Sequence, residues 1–264
     1  PWPDAVRPAV PVSATVPAVP AARVAGVLAR FPGCTTAKVK VAEPGQSLAD
    51  DIARVAEVRA VLGHSGRVRI DANGAWSVDD AVDALRSLAR CDLAYAEQPC
   101  ANVEELRDLR IALARAGVGV PVAADESIRK AEDPVRVRDL EAADPIVVQV
   151  APLGGVRSAL RVAEECGLPA VVSSALDTSV GISSGVALAA ALPALDHACG
   201  LGTVALLEGD VTNDPLLPVC GSLDAGRVAV DAALLDRWAA TPDRVAWWAD
   251  RVVACHAVLA ASRR

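Results

Sequence analysis

Residues 67–74 read RVRIDANG, a short run with alternating β-branched residues that ends on a carboxylate, Asp71, and a turn. This pattern predicts a buried β-strand with an acidic residue at its C-terminal end. A helix start follows at Ser77, because a capping serine precedes early acidic residues, Asp79 and Asp80. A strand followed closely by a helix is the repeating unit of α/β proteins.

The same unit recurs along most of the chain. Short β-branched runs alternate with Ala-, Leu- and Arg-rich stretches of helical periodicity until about Gly202. The candidate strands are Val10–Val16, Thr36–Val41, Arg67–Asp71, Leu93–Glu97, Val120–Ala124, Ile146–Val150, Ala170–Ser173 and His197–Leu201. The candidate helices lie near residues 20–30, 48–62, 77–90, 102–116, 132–142, 155–166 and 180–191.

Eight βα units predict an α/β fold of the (β/α)8 TIM barrel type. A doubly wound open sheet is the alternative, and it is less favoured because the first strand is not followed by G-x-G-x-x-G. We expect a residual linker at residues 1–9 and the barrel at 10–221. Residues 222–264 no longer show the alternation of strands and helices, and they carry three tryptophans. We expect them to pack on the barrel or to belong to a second domain.

Composition limits the partners. The net charge is -7 and the 26 Lys and Arg are scattered, which argues against nucleic acid. Apolar runs such as Gly185–Leu195 are too short to span a bilayer, so no membrane is expected. Seven cysteines without a C-x-x-C pair, and a start at Pro1 that does not resemble a signal peptide, predict a cytoplasmic protein. The sequence does not predict the oligomeric state.

Three carboxylates end successive strands. Asp71, Glu97 and Asp125 are spaced by 26 and 28 residues, which places them side by side at the C-terminal rim of a barrel. Each alone is explained as well by helix capping or an ion pair. Together they would repel one another without a cation, and three oxygen ligands suit Mg²⁺ better than zinc. The three histidines, in contrast, have no partner at ligand spacing and are expected to be structural.

Two lysines lie one unit earlier. Lys38 and Lys40 alternate with Val39, so both side chains point to one side of the strand. A surface edge strand would explain such a pair equally well, but its position just before Asp71 favours the barrel interior. Near a divalent cation and apolar walls, the pKa of a lysine can fall enough for the amine to act as a base.

This set of residues resembles the enolase superfamily, in the lysine-base branch that contains muconate lactonising enzymes, dipeptide epimerases and o-succinylbenzoate synthases. The resemblance covers about residues 8–220. Local runs are similar to the actinobacterial type of o-succinylbenzoate synthase in particular: TTAKVKVA (35–42), IDANGAW (70–76), EQPC (97–100), ADESIR (124–129), APLGGV (151–156) and SSALDTSVG (173–181).

The resemblance implies an activity and a substrate. The reaction is the dehydration of a small-molecule carboxylate, 2-succinyl-6-hydroxy-2,4-cyclohexadiene-1-carboxylate, to 2-succinylbenzoate in menaquinone biosynthesis. The cofactor would be Mg²⁺, with Mn²⁺ as an alternative, held by Asp71, Glu97 and Asp125. Lys40 would remove the α-proton and return a proton to the departing hydroxyl, and Lys38 would keep the pKa of Lys40 low and contact the carboxylate.

Secondary substrate contacts are also implied. Asn73 and Ser173 are candidates for binding the substrate. Gly154 and Gly155 open the helix after the sixth strand, where their backbone N–H groups could bind a substrate carboxylate. A tight turn would explain the two glycines equally well.

Two features depart from the family. Gln149 stands where the resemblance implies a second catalytic lysine. The sequence begins just before the first barrel strand, so we expect the N-terminal part of the family's α+β capping domain to be missing and residues 222–264 to be its C-terminal remnant. Since an amide does not exchange a proton near neutral pH, Gln149 disfavours an N-acylamino acid or dipeptide racemase, which needs an acid/base group on each face. A catalytically impaired metal-binding barrel is the remaining alternative.

Overall fold

The computed structural model describes residues 3–129 and 133–261. Strands and helices alternate through most of this part of the chain. The strands are β1 Ala9–Pro11, β2 Ala14–Val16, β3 Thr36–Lys40, β4 Arg67–Asp71, β5 Leu93–Glu97, β6 Val122–Ala123, β7 Ile146–Val148, β8 Ala170–Val172 and β9 Ser222–Asp224. The α-helices are α1 Val24–Leu28, α2 Leu48–Leu62, α3 Val78–Leu88, α4 Val103–Ala116, α5 Glu126–Arg129, α6 Arg136–Asp139, α7 Val156–Cys166, α8 Ser179–Ala191, α9 Ala232–Arg237 and α10 Pro242–Ala261.

The strands β2 to β8 form a closed parallel barrel. Strands β2-β3-β4-β5-β6 make one parallel sheet in chain order, and β7 pairs with β8. Single parallel bridges complete the ring: Ala124 with Ile146, Ser173 with Gly200, and Val12 with Cys199. The residues around Cys199 and Gly200 thus occupy the eighth position, and the predicted (β/α)8 barrel is confirmed.

Several element boundaries differ from the predicted ones. The predicted strand Val10–Val16 is two strands, because β1 leaves the barrel to pair antiparallel with β9. His197–Leu201 forms only isolated bridges rather than a strand. The predicted helix near 132–142 is reduced to α6, and its first residues lie outside the described part of the chain.

The register of the barrel brings the charged side chains to one level. Lys40 pairs with Asp71, and Asp71 pairs with Glu97, across three adjacent parallel strands. Because side chains alternate along a strand, these residues share the interior face, while Val39 and Ile70 point outward and are fully buried under the helices. The apolar core therefore surrounds the barrel, and the polar groups line its inside.

The C-terminal segment is packed on the barrel only in its first part. After β9, the ring of Trp238 lies against Gly209, where a Cβ would collide with it. Helix α10 has no buried residue, and it exposes apolar side chains such as Trp247, Trp248 and Val253. No helix in the described part of the chain is long and apolar enough to cross a membrane.

The buried residue Arg54 fixes the end of β3. Its guanidinium donates to the carbonyl oxygens of Val19 (2.6 Å) and Lys40 (2.8 Å), and it forms an ion pair with Asp51 (2.8 Å). We expect Arg54→Ala to lower the free energy of unfolding in urea by about 3–5 kcal/mol, because it leaves a buried carboxylate without its partner. The matched control Arg86→Ala, which removes an exposed ion pair, should cost no more than about 1 kcal/mol. Equal losses in the two variants would contradict this role.

Candidate active site

Charged and amide side chains converge at the C-terminal ends of five neighbouring strands. Lys38 and Lys40 come from β3, Asp71 ends β4, and Glu97 ends β5. Asp125 follows β6, and Gln149 follows β7. The three carboxylates are almost completely buried, with relative exposures of 1% for Asp71, 1% for Glu97 and 3% for Asp125.

Lys38 joins two of the carboxylates. Its Nζ lies 2.7 Å from Glu97 Oε1 and 3.1 Å from Asp71 Oδ2. Burial alone would lower the pKa of Lys38, but the charges of Glu97 and Asp71 raise it well above its ordinary value. Lys38 is therefore held as a charged group, and it acts as the cation between Asp71 and Glu97.

Lys40 is the more accessible lysine. Its Nζ lies 2.7 Å from Asp71 Oδ2 and 2.6 Å from Asn73 Oδ1, and 27% of its side chain is exposed. Asn73 has a left-handed backbone conformation (φ 48°), and its side-chain Nδ2 donates to Glu126 Oε1 at 3.3 Å. Asn73 thus lies beside the ammonium of Lys40 at the barrel mouth, where the sequence predicts a substrate contact.

The carboxylates differ in their ionisation. Burial would raise the pKa of Asp71, but Lys38 and Lys40 outweigh it and lower the pKa below its usual value. The pKa of Glu97 is raised by burial and by the charge of Asp71. The pKa of Asp125 is raised by burial and by Glu126. Negative charge at Glu97 and Asp125 is therefore incompletely compensated by the protein.

Gln149 contacts a carboxylate directly. Its Nε2 lies 3.0 Å from Asp125 Oδ1 and 3.2 Å from Oδ2. Arg129 donates to the same carboxylate through Nε at 3.0 Å. The position where the resemblance implies a lysine thus holds a neutral donor beside Asp125, and Arg129 carries the positive charge there.

A cavity of about 580 Å³ opens beside the two lysines. Its size suits a small organic molecule, since ligand pockets begin at about 300 Å³. Ser173, which the sequence suggests as a substrate contact, lies in its wall. The lining residues are Thr15, Lys38, Lys40, Ser173, Ser174, Ala175, Leu176, Gly200 and Thr203.

Comparison with known proteins places this arrangement in a family. Residues 21–228 match the family described as enolase C-terminal domain-like. The chain belongs to the enolase C-terminal domain-like family.

The curated relatives of this chain include enzymes named o-succinylbenzoate synthase. The o-succinylbenzoate synthase of Thermobifida fusca is 59% identical over 256 residues, which cover 97% of this chain and 78% of the relative. That of Mycolicibacterium smegmatis is 58% identical over 260 residues, covering 98% and 78%. Among solved structures, the muconate lactonizing enzyme of Pseudomonas putida has a TM-score of 0.75 at 24% identity, over 89% of this chain and 67% of that one, which supports the fold.

Enolase superfamily enzymes generally use a divalent metal. No group of three or more His, Cys, Asp or Glu side chains in the described part of the chain is arranged to hold a metal ion. Lys38 instead lies between Asp71 and Glu97, while Gln149 and Arg129 hold Asp125. The donor set nevertheless fits a hard divalent cation, because all three groups are buried carboxylates and one pair of them already binds a positive charge.

The two glycines after β7 make a turn. Gly154 and Gly155 both have positive φ, 81° and 117°. Their N–H groups donate to the carbonyl oxygens of Ala151 (3.2 Å) and Val150 (2.9 Å), so the loop itself uses the donors that the sequence offers to a substrate. Of the two readings of this pair, the structure favours the turn.

Sequence reasoning missed Gln98, which organises the rim. Gln98 is fully buried; its Oε1 accepts from the backbone N–H groups of Asp125 (3.0 Å) and Ser127 (3.1 Å), and its Nε2 donates to Ser127 Oγ (2.8 Å). The signal was an amide between Glu97 and Pro99 at the end of an apolar strand, where a polar residue has to find partners inside. Gln98 positions the backbone that carries Asp125.

Proposed function

We propose that this chain catalyses the o-succinylbenzoate synthase reaction, the dehydration of 2-succinyl-6-hydroxy-2,4-cyclohexadiene-1-carboxylate to 2-succinylbenzoate in menaquinone biosynthesis. The relatives that carry this name are 56–59% identical over at least 97% of the chain. The observation in the structure that carries the proposal is the position of Lys40. Its side chain borders the cavity, whereas Gln149 contacts Asp125 through a neutral amide, and this difference favours a reaction with one acid/base group.

Asp71, Glu97 and Asp125 would hold the metal, Mg²⁺ or alternatively Mn²⁺. When bound, it would supply positive charge to the substrate carboxylate and so make the neighbouring C–H bond more acidic. Lys38 is held between Asp71 and Glu97 and contributes a fixed positive charge next to the site. Burial of these groups strengthens their electrostatic effect on the substrate.

Lys40 would move the proton. In the unprotonated form, its amine takes the α-proton of the substrate, and the electron pair of the C–H bond forms the new C=C bond of the ring. The resulting ammonium gives the proton to the departing hydroxyl, which leaves as water when the C–O bond breaks. Asn73 orients Lys40 through the 2.6 Å contact, and Ser173 borders the cavity where the substrate would lie. The amine is regenerated without a second acid/base residue.

The domain assignment belongs to the same proposal. Residues 10–221 would form the catalytic barrel, and residues 222–264 would complete a capping domain. The exposed apolar side chains of α10 support this assignment, since a helix with Trp247 and Trp248 in solvent presents a surface to be covered. The chain spans 78% of the length of the two relatives described above.

A catalytically impaired barrel is the second candidate. It is favoured by the contact between Gln149 and Asp125, which leaves an amide where the family has a lysine. No contact in the described residues favours the racemase, because the amide of Gln149 does not exchange a proton.

The assay for aromatic product decides between turnover and impairment. We expect ultraviolet absorbance of 2-succinylbenzoate to rise with Mg²⁺, to stop with EDTA, and to recover when excess Mg²⁺ is added. Asp71→Asn should lose this response, whereas Asp83→Asn, on an exposed helix surface, should keep it. Absence of turnover in a folded protein whose melting temperature rises with Mg²⁺ would overturn the synthase proposal in favour of the impaired barrel.

A further inference from the structure

The barrel interior contains a buried arginine without an acidic partner. Arg69 lies two residues before Asp71 on β4, on the same interior face but nearer the N-terminal end of the barrel, and only 1% of it is exposed. Its Nη1 donates to the carbonyl oxygen of Ala198 at 2.7 Å. Its Nε and Nη2 are buried without a hydrogen-bond partner, and within the described residues it has no ion pair.

A second buried nitrogen without a partner lies on the same side of the barrel interior. The guanidinium carbon of Arg69 lies 4.7 Å from the ring centroid of Tyr95, and the ring of His197 meets the same tyrosine edge-on at 5.7 Å. The Nδ1 atom of His197 is also buried without a partner. Because Ala198 follows His197 in the chain, both groups lie on one side of the barrel interior.

The ring of Tyr95 is the aromatic group that covers the guanidinium of Arg69. Tyr95 itself packs in a buried cluster with Ala123, Val147 and Val171. A guanidinium does not lose its proton in a protein, so Arg69 cannot avoid the cost of burial by becoming neutral. The face of Tyr95 offsets part of the charge, but it accepts neither of the two free N–H groups. A ligand with negative charge and no hydrogen-bond donor of its own satisfies both needs.

We propose that Arg69 and His197 form a binding site for a small monovalent inorganic anion of the chloride class. Arg69 Nε and Nη2 donate to the anion, and His197 Nδ1 adds a third donor. One guanidinium balances one negative charge, so a doubly charged anion would leave an uncompensated charge in the buried interior. His197 is only half-buried, so the anion enters past it from the N-terminal end, away from the cavity beside Lys40.

Bromide replaces chloride and is visible by anomalous diffraction. We expect crystals of the full chain, grown without halide and then soaked in sodium bromide, to show an anomalous peak within about 3.5 Å of Arg69 Nε and Nη2. An electron-density peak at this position without anomalous signal would identify a buried water and overturn the proposal. An empty interior would overturn it as well.

Thermal unfolding tests the site in solution. At equal ionic strength, chloride in place of gluconate should raise the melting temperature by about 3 °C through binding to the folded state. Arg86→Gln, which removes an exposed charge from helix α3, should keep this difference. His197→Leu should reduce it, and Arg69→Met should abolish it. If Arg69→Met does not fold, the bromide experiment on the unaltered chain decides; an equal chloride effect in His197→Leu and the unaltered chain would contradict the part assigned to His197.

Discussion

Replacing Lys40 by alanine is expected to lower kcat for dehydration by about 10³-fold, within the range that a general base contributes. The side chain reaches the cavity and is 27% exposed, so its truncation should leave the fold intact. Asp71 keeps an ionic partner in this variant, because Lys38 lies 3.1 Å from the same Oδ2 atom. The measurement is kcat from the ultraviolet absorbance of the aromatic product, together with the melting temperature.

A conservative variant separates proton transfer from charge. Lys40→Arg keeps a cation next to Asp71 and Asn73, but a guanidinium does not give up its proton near neutral pH. Lys40→Arg should therefore be nearly as inactive as Lys40→Ala. The control Arg86→Ala, on an exposed helix face, should retain full activity. Activity of Lys40→Arg within tenfold of the unaltered chain would show that Lys40 supplies charge rather than a base.

The sequence could predict that the charged residues share one face of the barrel, because a parallel sheet is regular. Side chains alternate with a period of two, and neighbouring parallel strands end on the same side of the barrel. Lys38 and Lys40 could therefore be placed on the face of Asp71, and the register of β3 with β4 agrees with this placement. The carboxylate at the end of β5 followed from the same regularity.

The connections between these side chains were less predictable, since they depend on distant partners. Gln98 turns inward at a left-handed φ of 35° and contacts the backbone 27 and 29 residues away, which no local pattern indicates. Lys38 forms ion pairs with both Asp71 and Glu97 because its side chain is long enough to reach them, which the spacing of these residues in the sequence does not reveal. The eighth strand was predicted too long, because apolar periodicity around Cys199 does not reveal that only two bridges form there.

Restoring a lysine at position 149 is the second large effect. We expect Gln149→Lys to raise kcat/KM for dehydration on the order of 10²-fold, the scale on which a preorganised charge stabilises an anionic intermediate. The amide of Gln149 already lies within 3.2 Å of both Asp125 oxygens, so an ammonium at this place can keep a contact with the carboxylate while adding positive charge next to Asp125. The measurement is the same absorbance assay at saturating Mg²⁺.

A neutral variant of similar shape isolates the charge. Gln149→Met keeps the volume but removes the donor to Asp125. It should show no gain and a weaker response to Mg²⁺, since this carboxylate then keeps its contact with Arg129 but loses that with residue 149. Melting temperatures of both variants establish that the barrel remains folded.

The reaction that gains from Gln149→Lys also separates the candidate functions. Racemisation of an N-acylamino acid can be measured by optical rotation. This reaction needs a proton-exchanging group on each face of the carbon, and a lysine at 149 would supply the second one in addition to Lys40. A gain in dehydration alone supports the synthase, because one base suffices and the new cation acts by charge. A gain in racemisation alone would assign the site to the racemase. No gain in either reaction, in a folded variant, would mean that the missing charge does not limit the site, and the impaired barrel would then be the better description.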